Sequence, residues 1–297
     1  MNKAVRLALK ALSQADIEVS KTYKLERSVS SIKSPVTNVL YSKFDRVIRS
    51  GEREIMVRMY PAENAPRGLI LYFHGGGWVK EAVDTYNGIC KAFAQKTGFT
   101  VASVEYSLAP ENKFPLPLED CYAVTKHFLE NGEFEKVILA GDSAGGNLAA
   151  AVSLLARDRG ERMATAQILI YPCLYNDHTE NSPFLSIREN GEDYILTSKR
   201  ICEYTSLYVD DKDRHSPYFA PLLSEHFSNQ PKTLVVTAEF DPLRDEGEEY
   251  AKRLSQAGVA AESFRIKDAV HGFLSLPATF PSVLAFYNKL IEFTRGI

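Results

Sequence analysis

The sequence predicts an α/β fold built on a mostly parallel, doubly wound sheet, and three observations lead there. Five short runs are almost continuously apolar, the pattern of strands buried on both faces. Helical patterns fall between most of them, as βαβ units require. One junction, Gly141-Asp142-Ser143-Ala144-Gly145-Gly146, joins a β-branched apolar run to a stretch of strong helix formers.

The elements follow in order. Lys3 to about Ser20 carries Val5, Leu9, Leu12 and Ile17 near helical spacing on one face. A polar stretch from Ser28 to Ser34 ends in Pro35, so this region reads as a helix outside the sheet followed by a loop, or as a decorative terminus. Lys43 to Arg49 and Glu54 to Tyr60 alternate about Ser50-Gly51-Glu52 and predict an antiparallel hairpin. The apolar strands are Gly68–Phe73, Thr100–Val104, Lys136–Ala140, Ala166–Tyr171 and Thr233–Thr237. Helices are predicted near Tyr86–Thr97, Leu118–Asn131 and Leu148–Arg159.

Between Tyr171 and Thr233 about sixty residues hold no strong strand, although Thr197 to Val209 has a helical pattern. A structureless loop of that length is abnormal, so part of it should form a small excursion over the sheet. A helix from about Leu243 to Ala257, a strand near Ala261 to Ile266 and a helix from Pro281 to Arg295 complete the pattern. The order of strands in the sheet is not encoded in this periodicity.

The length, 297 residues, admits one large α/β domain or two modest ones. With 45% hydrophobic and 25% charged residues the chain can fill a core and stay hydrated. A formal charge of -3 gives no electrostatic footprint for nucleic acid or an anionic membrane. No run reaches the roughly 18 apolar residues of a membrane span, and the first ten residues interleave charge, so a soluble cytoplasmic protein is expected. Cys90, Cys121, Cys173 and Cys202 show no C-x-x-C pair and no metal-like spacing. Cys90 and Cys121 fall in predicted helices and are expected as buried free thiols.

The chemistry centres on Ser143. A G-x-S-x-G string alone arises by chance, but here glycines flank a sharp strand-to-helix turn that would push the hydroxyl out at the carboxyl end of the sheet. A serine needs a base, and the base needs a group to orient it. His271 follows the last predicted strand, and taken alone it reads equally as base or bystander; His127, His178, His215 and His226 suit surface or structural roles better. Asp241 follows the strand Thr233–Thr237, while its competitors Asp245 and Glu246 fall in the first turn of the next helix, where the dipole already explains an acid. His74-Gly75-Gly76-Gly77-Trp78 leaves the strand ending at Phe73 with bare backbone N–H groups that could converge on an oxyanion with that of Ala144. A flexible or phosphate-binding glycine loop is the plainer alternative, but neither G-x-x-x-x-G-K-[ST] nor G-x-G-x-x-G spacing is present.

Together these motifs, with Asp241-Pro242-Leu243-Arg244-Asp245-Glu246, His271-Gly272-Phe273 and Tyr106-Ser107-Leu108-Ala109-Pro110-Glu111, resemble the hormone-sensitive-lipase family of esterases from about Pro61 to the C-terminus. The resemblance implies an α/β-hydrolase fold with a small helical cap, the core spanning 36–175 and 216–297 and the cap 1–35 and 176–215. It implies Ser143 as nucleophile, His271 as general base and Asp241 as its orienting acid, in the chain order of that fold. The oxyanion hole then falls on the N–H groups of Gly76, Gly77 and Ala144, with Gly75 shaping the turn. Two departures are Glu105 and Ser107, where the family has Asp and Arg, and the histidine loop Asp268-Ala269-Val270-His271, which lacks a common glycine.

The implied activity is hydrolysis of small short- to medium-chain acyl esters with no metal or organic cofactor. Trp78, Phe184, Tyr194 and Phe219, with Leu185 and Tyr208, are candidate pocket walls, although ordinary packing explains each. An amide or formamide hydrolase and a catalytically inactive ligand receptor are the alternatives. A homodimer through the sheet edge is a further expectation.

Overall fold

The computed structural model describes residues 9–11, 13, 18–32 and 40–297. Helix α1 spans Val19–Ile32 and the hairpin strands β1 and β2 span Asp45–Ser50 and Arg53–Tyr60. The alternating core is then β3 (Leu69–Phe73), α2 (Asn87–Thr97), β4 (Thr100–Val104), α3 (Leu116–Glu130), β5 (Val137–Asp142), α4 (Ala144–Asp158) and β6 (Ala166–Ile170). Two short helices, α5 (Leu185–Asn190) and α6 (Ser198–Tyr208), occupy the long interruption. The chain closes with β7 (Lys232–Phe240), α7 (Arg244–Gln256), β8 (Ala261–Val270) and α8 (Pro281–Arg295).

The eight strands form one sheet in the order β1-β2-β4-β3-β5-β6-β7-β8. Strand β2 runs antiparallel to both neighbours, and the six strands from β4 to β8 are parallel. Each parallel strand presents alternate residues to two separate cores. Leu69, Leu71 and Phe73 of β3 face the core under α3, α4 and α7, while Ile70 and Tyr72 face the one under α2 and α8. Helices on both faces are why these strands read as continuous apolar runs. From β3 the chain steps outward to β4, then crosses back to β5 on the other side, so a crevice opens at the carboxyl ends of β3 and β5. Ligands bind at such a switch point in open α/β sheets.

Two elements differ from expectation. The polar stretch beginning at Ser28 is helical as far as Ile32, not a loop. Ser28 returns its hydroxyl to the Lys24 carbonyl at 2.9 Å, so a serine-rich run is compatible with the helix. The expected helix from Lys3 to Ser20 lies largely outside the described residues. Strand β7 runs to Phe240, and a bulge near its end with β8 separates Ala238 from Phe240 in register. That irregularity carries the chain to Asp241 and its partner strand to His271. Among the described residues no helix is long and apolar enough to cross a membrane.

Candidate active site

Ser143 has φ 55 and ψ -118, a backbone conformation that L-residues rarely adopt. Packing holds it there. A methyl group on Gly145 would stand 1.9 Å from the Phe73 carbonyl oxygen, and one on Gly141 2.3 Å from that of Gly145. Strand and helix can therefore approach this closely only with glycine at both positions.

The turn points Ser143 Oγ at His271 Nε2, 2.9 Å away, and His271 Nδ1 lies 2.8 Å from Asp241 Oδ2. Asp241 is fully buried and its other oxygen accepts the Leu243 N–H at 2.9 Å. The competing acids have other partners. Asp245 accepts the Ser186 N–H and pairs with Arg244, while Glu246 accepts the Leu174 N–H and meets His178.

The glycine turn after β3 is fixed from below. Gly75 donates its N–H to Tyr86 Oη and Asp142 Oδ1 at 3.0 and 3.1 Å, so it is unavailable to an oxyanion and sets the turn. The N–H groups of Gly76 and Gly77 have no hydrogen bond to the described residues, and Ala144 opens α4 with no carbonyl one turn behind it. All three residues border the cleft beside Ser143.

Asp142 is the buried base plate of this arrangement. Tyr72 and Tyr86 each donate a hydroxyl to it at 2.9 Å. Burial pushes its carboxyl up to about 6, against the pull of these donors and of His271. His74 is equally buried, and burial holds its imidazole down to about 4, so it is neutral; its Nδ1 donates to the Gly75 carbonyl at 2.8 Å while its ring stacks on Tyr106. The two departures from the family pattern find local partners. Glu105 accepts the Val83 N–H at 2.7 Å, and Ser107 donates its own N–H to Asp120, which Arg53 also contacts.

A cleft of about 640 Å³ opens above Ser143 and His271. One wall is Ile195, Leu196, Ile201 and Tyr204, and the other is Ile89, Leu274, Leu276, Val283 and Tyr287. Of the expected wall residues only Trp78 borders it, and its ring stacks on Tyr208 at 4.5 Å. The others belong elsewhere. Phe184 packs on Tyr175, Tyr194 on Phe240, and Phe219 and Tyr208 are buried with Trp78, while Leu185 is exposed. Leu274 and Leu276 carry no motif in the turn after the histidine, and Val283 and Tyr287 read from sequence only as part of the closing helix. The i, i+3 spacing of Ile201 and Tyr204, which sets both on one face of α6, is the available signal for the opposite wall.

Helix α1 and the 176–208 segment meet near this cleft. Glu203 accepts the Val19 N–H at 2.9 Å, and Glu26 pairs with Lys80, whose ammonium lies 5.3 Å from the Tyr204 ring. Among the described residues, one trio of metal-ligating types is close together, namely Cys173, His178 and Glu246.

Comparison with known proteins bears on the fold and the reaction class. A family model described as an alpha/beta hydrolase fold matches residues 70–275. An arylesterase of Saccharolobus solfataricus is 39% identical over 256 residues, covering 84% of this chain and 82% of its own. The esterase LipI of Mycobacterium tuberculosis is 34% identical over 234 residues, covering 76% and 72%. The solved structure of a hyperthermophilic esterase from the archaeon Pyrobaculum calidifontis superposes with a TM-score of 0.85 at 32% identity, covering 100% of this chain and 98% of that one.

Proposed function

The chain belongs to the alpha/beta hydrolase fold family, and from that premise we propose that it is a serine carboxylesterase acting on short- to medium-chain acyl esters. The observation that carries the reading is the unbroken line of hydrogen bonds from Asp241 through His271 to Ser143. Relatives named as esterases at 34 to 39% identity support the reaction class.

Ser143 Oγ attacks the ester carbonyl while His271 Nε2 takes its proton, and Asp241 holds the imidazole in the tautomer that can accept it. The carbonyl oxygen becomes an oxyanion received by the N–H groups of Gly76, Gly77 and Ala144, each such donor contributing roughly 2.7 to 4 kcal/mol to the transition state. His271 then returns the proton to the departing alcohol. Water, deprotonated by His271, attacks the acyl-enzyme, and a second collapse frees the acid and Ser143.

A cleft of about 640 Å³ with two apolar walls suits a small ester, since drug-sized ligands occupy pockets of roughly 300–1,000 Å³. In this reading α1 and residues 176–215 act as a cap over the 36–175 and 216–297 core. Strand β8 at the sheet edge is the surface through which two chains would pair, with sedimentation as the check.

Hydrolysis of a p-nitrophenyl ester series from acetyl to palmitoyl, with Ser143→Ala alongside, tests the proposal. Turnover should peak at short chains and vanish in the variant. No turnover on any ester, with cleavage of the matched amide, would make the chain an amidase; binding without turnover of either would make it a receptor.

A further inference from the structure

We infer that Cys173, His178 and Glu246 form a binding site for a divalent transition metal of the zinc class, beside the catalytic centre and distinct from it. Cys173 lies on the loop leaving β6, His178 lies five residues on, and Glu246 stands in the first turn of α7. Their ligand atoms lie within 4.8 Å of one another. Cys173 Sγ is 3.7 Å from His178 Nε2, which is 3.0 Å from Glu246 Oε2. The Cys173–His178 loop and Glu246 on α7 lie far apart in the sequence and converge only in the fold, which is why residue spacing gave no sign of the set.

The geometry fits a tetrahedral ion. Zinc bonds of about 2.3 Å to sulfur and about 2.0 Å to nitrogen and oxygen place a sulfur and a nitrogen about 3.5 Å apart, and a nitrogen and an oxygen about 3.3 Å apart. Cys173 Sγ and His178 Nε2 stand slightly farther apart than this, and His178 Nε2 and Glu246 Oε2 slightly closer, so shifts of a few tenths of an ångström bring these two pairs to bonding geometry. The donor set also selects the ion. Thiolate with imidazole and carboxylate suits zinc, whereas magnesium and calcium take oxygen.

Charge points the same way. Cys173, His178 and Glu246 are all buried, Glu246 completely. A doubly charged cation bound by a thiolate, a carboxylate and a neutral imidazole leaves no net charge, which matters where an uncompensated one is costly. Glu246 is also aimed. Its Oε1 accepts the Leu174 N–H at 2.5 Å, which fixes the carboxylate and turns Oε2 toward His178. Binding would release the Cys173 proton to solvent. Three protein donors leave one tetrahedral corner, and Cys173 borders the cleft from which a water or solute could fill it. The bound ion would tie the loop beneath Ser143, where the Cys173 N–H meets the Ser143 carbonyl at 3.4 Å, to the helix that follows Asp241.

The test is titration of the chelator-treated full chain with cobalt(II), followed by absorbance. One equivalent should produce a thiolate-to-cobalt charge-transfer band and the visible bands of a tetrahedral site, both displaced by zinc. Zinc at about a hundredfold over Kd should raise Tm by roughly 4 °C. Cys173→Ser should abolish the charge-transfer band, Cys202→Ser should keep it, and His178→Gln should keep it with affinity weakened about tenfold or more. Absence of the band at one equivalent in the native chain overturns the proposal, as does its survival in Cys173→Ser or an unchanged affinity in His178→Gln. Should Cys173→Ser not fold, the native titration and Cys202→Ser decide, because loss of the band in Cys202→Ser would assign the thiolate elsewhere.

Discussion

His271 Nδ1 stands 2.8 Å from Asp241 Oδ2, and the carboxylate that receives it is fully buried. An amide at position 241 would turn a donor toward the imidazole and favour the tautomer whose Nε2 already carries a proton. Asp241→Asn should therefore keep the fold and KM but lower kcat about ten-thousandfold. Steady-state kinetics with circular dichroism of the variant check this; a loss under tenfold would show that another group orients His271.

Ser143 holds its positive φ against its own preference. Ser143→Gly should lose turnover yet stabilise the fold by about 1 kcal/mol, because glycine relieves the strain. Urea unfolding of both chains measures the difference. A destabilised glycine variant would mean that the hydroxyl's bond to His271 outweighs the strain.

Asp142 gives a pH signature. Its carboxyl titrates at about 6 in the fold against 3.8 ordinarily, because burial disfavours the charge. A raised folded value means that the protonated form favours the native state, and the contribution is lost as pH climbs from the ordinary value through the raised one. Asp142→Asn cannot lose a proton. Its stability relative to the native chain should improve by about 2.4 kcal/mol between pH of about 4 and about 8, read from unfolding curves at each. An identical difference at both ends would place the titration outside this window.

Gly77 lies under Tyr204. A Cβ there would come within 2.5 Å of the tyrosine ring, and its φ is 63. Gly77→Ala should cost about a hundredfold in kcat/KM by displacing an oxyanion donor. The double variant with Tyr204→Ala should recover part of it, the backbone strain keeping the rest. No recovery would assign the whole loss to the backbone.

Strands β3 to β7 were legible because each is sandwiched between helices, and two-sided burial leaves a continuous apolar run. The serine turn was legible for a different reason, since Gly141 and Gly145 are dictated by carbonyls 2.3 and 1.9 Å from a missing methyl. Strand order was hidden, because nothing within Leu69–Phe73 tells which two of the other apolar strands will flank it. The cleft walls were hidden for a related reason. Phe184 and Tyr194 have the right chemistry for a pocket, but their rings are spent on Tyr175 and Phe240. Val283 and Tyr287 line the cleft only because α8 packs beside α2 across that face.

Arg27 on α1 donates to the Val79 carbonyl at 2.7 Å and the Ala109 carbonyl at 2.6 Å, and pairs with Glu111. One guanidinium from the amino-terminal helix thus rivets together the loops that follow β3 and β4. An engineer who trims the chain beyond residue 27, or a protease that nicks it there, would leave Ser143, Asp241 and His271 in the chain and still loosen the glycine turn. Substrate range measured on such a shortened chain would report a different pocket from the intact one.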